Sequence, residues 1–250
     1  MADPTVKRNI VVVGGAAGIG REIARQFARS GDRVAVADIN KQAIEELTAD
    51  SEGSIFGYYV DVSSWESVCH WADDLIRRFP AIDSFIYSAG ITNRRPFLEI
   101  DWPAWQKTMA VNLHGLFYCL KAVLPLMRQQ QGASVVIIGS GSAITGTGGG
   151  VHYAASKGGA FGLLRALVAE LGRKGIHCNV VAPRVIQSEM LDRLYPDPDD
   201  KQKLIDQIPI GRLGQPADIA ALVRFLSQQE AQYIHGQIIL ADGGRTFQAD

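Results

Sequence analysis

The sequence predicts an α/β chain with one doubly wound, parallel sheet of about seven strands and helices on both faces. Three observations carry this. Short apolar, β-branched runs alternate with amphipathic stretches along the whole chain. The apolar runs are continuous rather than alternating, as befits strands covered on both sides. The amphipathic stretches are long enough to cross from one parallel strand to the next in the right-handed sense. At 250 residues, 47% hydrophobic and 20% charged, the chain can bury a large core. It reads as a single domain over residues 1–250.

The elements follow in order. Ile10–Val13 is a short buried strand, and Gly18–Ser30 a helix with Ile23, Ala24 and Phe27 at helical spacing. Arg33–Asp38 is the second strand and Lys41–Asp50 the second helix. Ile55–Val60 is the third strand, followed by a helix from about Ser64 to Phe79. Ile82–Ser88 is the fourth strand. A long helix runs from Pro103, tolerated in a first turn, to about Gln130. Val135–Gly139 is the fifth strand, Tyr153–Arg173 a helix and Ile176–Ala182 the sixth strand. Pro216–Ser227 is helical and Gln237–Ala241 the last strand. Between them, Pro183–Gly211 is the least regular stretch, and residues 184–211 read as a lid over a ligand.

The first strand-to-helix turn carries Gly14-Gly15-Ala16-Ala17-Gly18-Ile19-Gly20. Glycines there let backbone approach a pyrophosphate, and the helix start offers free N–H groups and partial positive charge. This makes the sheet Rossmann-type, with Gly14, Ala17, Gly18, Ile19 and Gly20 as candidate dinucleotide contacts. The spacing is Gly-x-x-x-Gly-x-Gly, not the commoner Gly-x-Gly-x-x-Gly. Asp38 ends the second strand, with Ile39 after it. A carboxylate there suits the two ribose hydroxyls of NAD and repels the 2′-phosphate of NADP. No arginine stands at position 37 or 39, though Arg21 and Arg33 are near in sequence. NAD is expected over NADP. The competing reading makes Asp38 a cap for the following helix.

Tyr153 and Lys157 are four apart on a predicted helix and share its face. An ammonium about 5 Å from a phenol favours phenolate by roughly 3 kcal/mol at an effective dielectric near 20. That predicts a tyrosine able to exchange protons near neutral pH. Ser140 stands thirteen residues before it, with Ser142 as a rival.

Net charge is −1, with acidic and basic residues well mixed, so no nucleic-acid surface is indicated. No apolar run reads as a membrane span and the N-terminus shows no signal-peptide pattern, so a cytoplasmic protein is expected. Cys69, Cys119 and Cys178 are odd in number and scattered, as reduced thiols are. The histidines lack metal-ligand spacing, so no metal site is expected.

Together these residues resemble the short-chain dehydrogenase/reductase family from Ile10 to Gly244. Besides the glycine turn and Tyr153/Lys157, the likeness includes Asp61-Val62, Ser88-Ala89-Gly90, Asn112, Ser140, Pro183 to Ser188 and Asp242-Gly243-Gly244. The resemblance implies that Tyr153 is the acid/base, Ser140 holds the reacting oxygen, Lys157 binds the nicotinamide ribose and Asn112 a relay water. Asp61 and Val62 would flank adenine; Pro183, Ile186 and Ser188 would lie along the nicotinamide. It also implies a homotetramer. Three positions depart from the family pattern: Val13 for threonine, Ser88 for asparagine and Arg184 for glycine.

Arg94, Arg95 and Arg184 lie where a substrate would enter, at carboxyl ends of strands. With Ser142 they are the candidate substrate contacts. They suggest a small polar, possibly anionic, secondary alcohol or ketone, such as a polyol, sugar, hydroxy acid or hydroxysulfonate. Two alternatives stand beside this: an NADPH-dependent 3-oxoacyl-thioester reductase, and a non-catalytic dinucleotide sensor.

Overall fold

The computed structural model describes residues 7–129 and 132–247. Seven parallel strands lie in the order β3-β2-β1-β4-β5-β6-β7. They are β1 (Asn9–Val13), β2 (Arg33–Asp38), β3 (Ile55–Tyr59), β4 (Ser84–Tyr87), β5 (Ala133–Ile138), β6 (Ile176–Pro183) and β7 (Ile238–Ala241). The helices are α1 (Gly18–Arg29), α2 (Lys41–Ala49), α3 (Trp65–Arg78), α4 (Trp102–Leu126), α5 (Ser142–Thr145), α6 (Val151–Arg173), α7 (Glu189–Leu194), α8 (Pro198–Asp206) and α9 (Pro216–Leu226).

Period-two side chains explain the two-sided core. Ile10 and Val12 point to a layer with Ile23, Phe27, Ile44, Leu47, Ile219 and Val223, on α1, α2 and α9. Val11 and Val13 point the other way, to Val68, Trp71, Leu116, Leu120, Phe161 and Leu164 on α3, α4 and α6. Each fully buried side chain of this size contributes roughly 1.5–3 kcal/mol, so neither face can be left open. The helix starts are set by local chemistry: Asn40 accepts from Ala43 N, Ser64 from Ser67 N and Asp101 from Ala104 N. Asn40 rather than Asp38 therefore caps α2.

Several sequence-based readings need correction: β5 begins at Ala133 and ends at Ile138 rather than spanning Val135–Gly139, and α6 begins at Val151 rather than Tyr153. The long helix ends at Leu126, not Gln130, which lies outside the described residues. Pro125 cannot donate a backbone hydrogen bond, and Met127 turns extended to bridge Ile82. Ile82 is that isolated bridge rather than a strand residue, and Ser88 lies just past β4. The irregular stretch 184–211 contains α7 and α8, which bury Leu191 and Leu204; Pro198 opens α8 behind the cap Asp197. Finally, α4 is long and apolar enough to match a membrane span by composition, with mean hydropathy 1.4 over its most apolar window. Its Leu116, Cys119, Leu120 and Val123 lie in the core.

Within α4 the turn Ala110–His114 is π-helical. A π turn releases a carbonyl from the normal ladder. Tyr87, 1% exposed, donates its hydroxyl to Val111 O at 2.6 Å and satisfies it. That turn aims Asn112 at the carboxyl ends of the strands.

Candidate active site

The site lies where the loops after β1, β4, β5 and β6 meet. Gly14 has φ +72°, and a Cβ on it would collide with the backbone of Ala89. The glycine turn thus seats against Ser88-Ala89-Gly90, while Ser88 N donates to Val13 O at 2.8 Å. A Cβ on Gly20 would strike the Gly14 carbonyl. Gly18 differs: φ is +51° and nothing lies within 4 Å of where its Cβ would be. The start of α1 has Ala17 as its N-cap, no side-chain cap and no acidic residue in its first turn. Its amide N–H groups and partial positive charge therefore remain available to an anion, and Ile19 follows in the first turn. These features fit a dinucleotide pyrophosphate.

Asp38 braces this turn. Its Oδ2 accepts from Ala16 N at 3.0 Å and its Oδ1 from Asn40 N at 3.1 Å. A carboxylate has about four acceptor positions, so two remain for ribose hydroxyls. Ile39 is 59% exposed beside it. Arg33 cannot serve a phosphate there. It lies at the amino end of β2, where it bonds Asn9 Oδ1 and Arg78 O and stacks 4.8 Å from the Phe79 ring. Asp61 Oδ1 accepts from Ser63 N and Oγ, and Val62 is buried against α4 below Gly115.

Asn112, 1% exposed, is fully bonded. Its Oδ1 accepts from Ile91 N at 2.8 Å, and its Nδ2 donates to Ile91 O and Ser156 Oγ, both at 3.0 Å. It locks the loop after Gly90 onto α4 and α6. Lys157, 4% exposed, donates to Ile138 O at 2.9 Å and lies 5.8 Å from the Tyr153 ring centroid. A Cβ on Gly90 would come within 3.2 Å of Lys157 Nζ, a tight contact that would press on that amine. The Ser140 side chain acts on Tyr153, favouring its phenolate, and its hydroxyl accepts from Ser142 N at 3.1 Å. Ser140, rather than Ser142, therefore faces the phenol.

Tyr153 and Lys157 share one wall, as their spacing predicts, but the expected depression of the phenol is not present in the chain alone. Burial raises Tyr153 above its ordinary value, opposed by the Ser140 hydrogen bond. Burial also lowers Lys157 to about 8. Burial is the largest effect on the phenol, and it acts on the Lys157 ammonium as well.

On the far side, Ser188 caps α7 by accepting from Leu191 N, and its hydroxyl donates to Ile186 O at 3.2 Å. Pro183 ends β6. Val185 adopts φ +56°, a strained value for a β-branched residue, and its carbonyl accepts from Gly214 N at 3.2 Å. Arg184 reaches across the site and bonds Thr246 and Thr147. Arg94 and Arg95 stay exposed, and Arg95 lies 3.6 Å from Asp101. Sequence reasoning missed His152. It is 0% exposed next to Tyr153, with neither ring nitrogen bonded, and burial lowers its pKa. Its position directly before the tyrosine was the available signal.

Fold and site together define a dinucleotide-binding α/β oxidoreductase. A family model described as enoyl-(acyl-carrier-protein) reductase matches residues 14–246. The chain belongs to the short-chain dehydrogenase/reductase family. Its relatives include a 3-oxoacyl-(acyl-carrier-protein) reductase of Thermotoga maritima, 31% identical over 94% of this chain and 96% of the relative. An L-rhamnose-1-dehydrogenase of Scheffersomyces stipitis is 32% identical over 94% of each chain. A solved glucose/ribitol dehydrogenase-type member from Brucella melitensis superposes with a TM-score of 0.91 at 31% identity, covering 96% of this chain and 97% of that one. The family implies a nicotinamide dinucleotide cofactor.

Proposed function

We propose that this protein exchanges a hydride between NAD and the carbinol carbon of a small polar secondary alcohol. The observation that carries this is the convergence of Ser140, Tyr153, Lys157 and Asn112 beside an uncapped glycine turn. Ser140 holds the substrate oxygen by a hydrogen bond. In ketone reduction the Tyr153 phenol donates its proton to the carbonyl oxygen; in oxidation its phenolate, favoured by the Lys157 ammonium and by the positive charge an oxidised nicotinamide would bring, takes the hydroxyl proton. Lys157 places its positive charge beside the phenol and offers its remaining N–H donors to the nicotinamide ribose. Asn112 holds the loop that carries Gly90; its own amide is committed to Ile91 and Ser156, so its part is positioning rather than holding a relay water through its side chain. The bound dinucleotide supplies the hydride acceptor or donor. Asp38 supports NAD over NADP, because its charge would face a 2′-phosphate with no arginine at 37 or 39 to offset it.

The test is NAD reduction with a panel of polyols, sugars, hydroxy acids and hydroxysulfonates. Tyr153→Phe should abolish it and Ser140→Ala should lower kcat at least about a hundredfold. Turnover by Tyr153→Phe equal to that of the unaltered chain would instead support a dinucleotide sensor. The likeness to 3-oxoacyl-(acyl-carrier-protein) reductases favours a second reading, reduction of a 3-oxoacyl thioester. Preference for NADPH and an acyl thioester would decide for it.

We infer also that the chain assembles with copies of itself, as a homotetramer. Leu116, Leu120, Phe161 and Leu164 cover the sheet, yet Leu113, Phe117, Leu163 and Ala166 line an open apolar groove on the other side of α4 and α6. Pairing of these helices across a two-fold axis would bury it. Light scattering that reads a monomer at assay concentration would refute this.

A further inference from the structure

Arg184 leaves the end of β6 beside Ser140 and is tied down on two sides. Its stem lies on Gly141, the residue after Ser140: a Cβ there would meet Arg184 Cγ and Cδ at 2.9 Å. Backbone bonds hold the two segments together, with Gly141 N donating to Pro183 O at 3.0 Å and Arg184 N to Ala241 O at 3.1 Å. The guanidinium then forks. Nη1 donates to Thr246 Oγ1 at 3.0 Å, in the C-terminal turn. Nη2 donates to Thr147 Oγ1 at 2.6 Å, in the loop between Ser140 and Tyr153. Val185, the next residue, has φ +56°. A β-branched residue keeps that backbone only where its surroundings impose it, and such strain gathers at functional sites.

The contact with Thr147 heads a hydrogen-bond chain. The Thr147 and Thr145 hydroxyls lie 3.0 Å apart, and Thr145 Oγ1 donates to Gly141 O at 3.2 Å. Each hydroxyl carries one proton, so the direction is set: Arg184 donates to Thr147, Thr147 to Thr145 and Thr145 to Gly141. The chain closes on the residue that the arginine stem covers. Bonds in such a chain polarise one another, so losing the first donor loosens the loop as a whole. The far end of the loop is held separately. Gly149 O accepts from Thr92 Oγ1 at 2.6 Å, and a Cβ on Gly149 would strike the Tyr153 ring. The loop that lies against Tyr153 is therefore pinned by Thr92 at one end and by Arg184 at the other.

We propose that Arg184 is a strap across the site, from the loop 141–150 to the C-terminal turn, and that it sets substrate size: the alcohol or ketone is short on the side that meets the strap. This rests on the reading that Ser140 and Tyr153 hold the reacting oxygen. The strap begins one residue from Ser140, so a substrate arm on that side meets the arginine stem and then its guanidinium. Arg184 acts by its bulk and through Thr147; it positions and selects and takes no part in proton transfer. Glycine at 184 would remove stem, fork and hydrogen-bond chain together.

The test measures kcat/KM with NADH for methyl 3-oxobutanoate and for two isomers that each lengthen one arm, methyl 3-oxohexanoate and propyl 3-oxobutanoate. In the unaltered chain one isomer should fall below the short ester by about tenfold or more. Arg184→Gly, and Arg184→Met, which keeps most of the stem but not the fork, should each recover most of that loss, chiefly through KM. Thr147→Val, which breaks only the tie to the loop, should fall between. A loss of stability alone would slow all three esters alike and leave the length penalty in place. A second readout needs no turnover. With NAD bound in its oxidised form no hydride can reach a ketone; the short ester should then raise the melting temperature more than one of the isomers does, and Arg184→Met should remove the difference. Equal use of all three esters by the unaltered chain, or a penalty that survives both Arg184 variants, would overturn the strap. Preference for the longer isomers would also overturn it and would favour the thioester reading. Failure of every ketone and alcohol, with the thermal difference present and lost in Arg184→Met, would refute the catalytic reading and leave the strap standing. Absence of both turnover and the thermal difference would overturn the strap as well.

Discussion

Replacing Lys157 with methionine should stabilise the chain while destroying its activity. Lys157 is 4% exposed, and burial lowers it from the ordinary 10.5 to about 8. The folded chain therefore binds this proton more weakly than the unfolded one. Stability rises with pH wherever the unfolded state holds more protons. The cost of the buried charge is fully present below about pH 8 and fades as pH climbs toward 10.5. At pH 7 it amounts to roughly 3 kcal/mol. Methionine removes that cost but leaves the Ile138 carbonyl without its 2.9 Å partner, a loss of about 1 kcal/mol. The net gain at pH 7 is about 2 kcal/mol. By pH 9.5 most of the lysine penalty is gone in the unaltered chain, so the gap should shrink by about 2 kcal/mol. Urea unfolding of both chains at pH 7 and 9.5, at one protein concentration, measures it. A gap that does not change with pH would refute the idea that a desolvated ammonium sits in this pocket. So would a Lys157→Met chain less stable than its parent at pH 7.

Gly20→Ala drives a methyl group into the Gly14 carbonyl and should cost about 1–3 kcal/mol, read as a lower melting temperature, and weaken NAD binding in a fluorescence titration. Asp38→Ala removes the charge proposed to face the ribose, and the brace on Ala16 N; the ratio of kcat/KM for NAD over NADP should fall about tenfold or more, and an unchanged ratio would count against Asp38 as the selector. Asn112→Leu leaves Ile91 N, Ile91 O and Ser156 Oγ without their partner, so stability should drop by at least about 2 kcal/mol, and amide exchange should speed up at Ile91 in particular.

Much of the fold was legible because its signals are local. Continuous apolar runs such as Ile10–Val13 and Val135–Ile138 read as covered strands, and their alternation with amphipathic helices points to a parallel, doubly wound sheet. Helical spacing put Tyr153 and Lys157 on one wall for the same reason. The end of α4 was misjudged because its stop depends on a long-range bridge from Met127 to Ile82. The helices α7 and α8 were missed because Tyr195-Pro196-Asp197-Pro198 reads as turn, whereas the burial of Leu191 and Leu204 favours helix on either side of it.

The order of residues by itself determined the strand–helix alternation, the glycine turn, the family and the set of candidate site residues. Those depend on spacing, which the chain carries one residue at a time. Only the tertiary structure decided the electrostatics. That Tyr153 is raised rather than lowered follows from desolvation by surrounding elements, which no local pattern encodes. That Arg33 sits at the wrong end of its strand for a cofactor phosphate, and that Arg184 meets Thr246 across 62 positions of sequence, depends on which loops the folded sheet brings together.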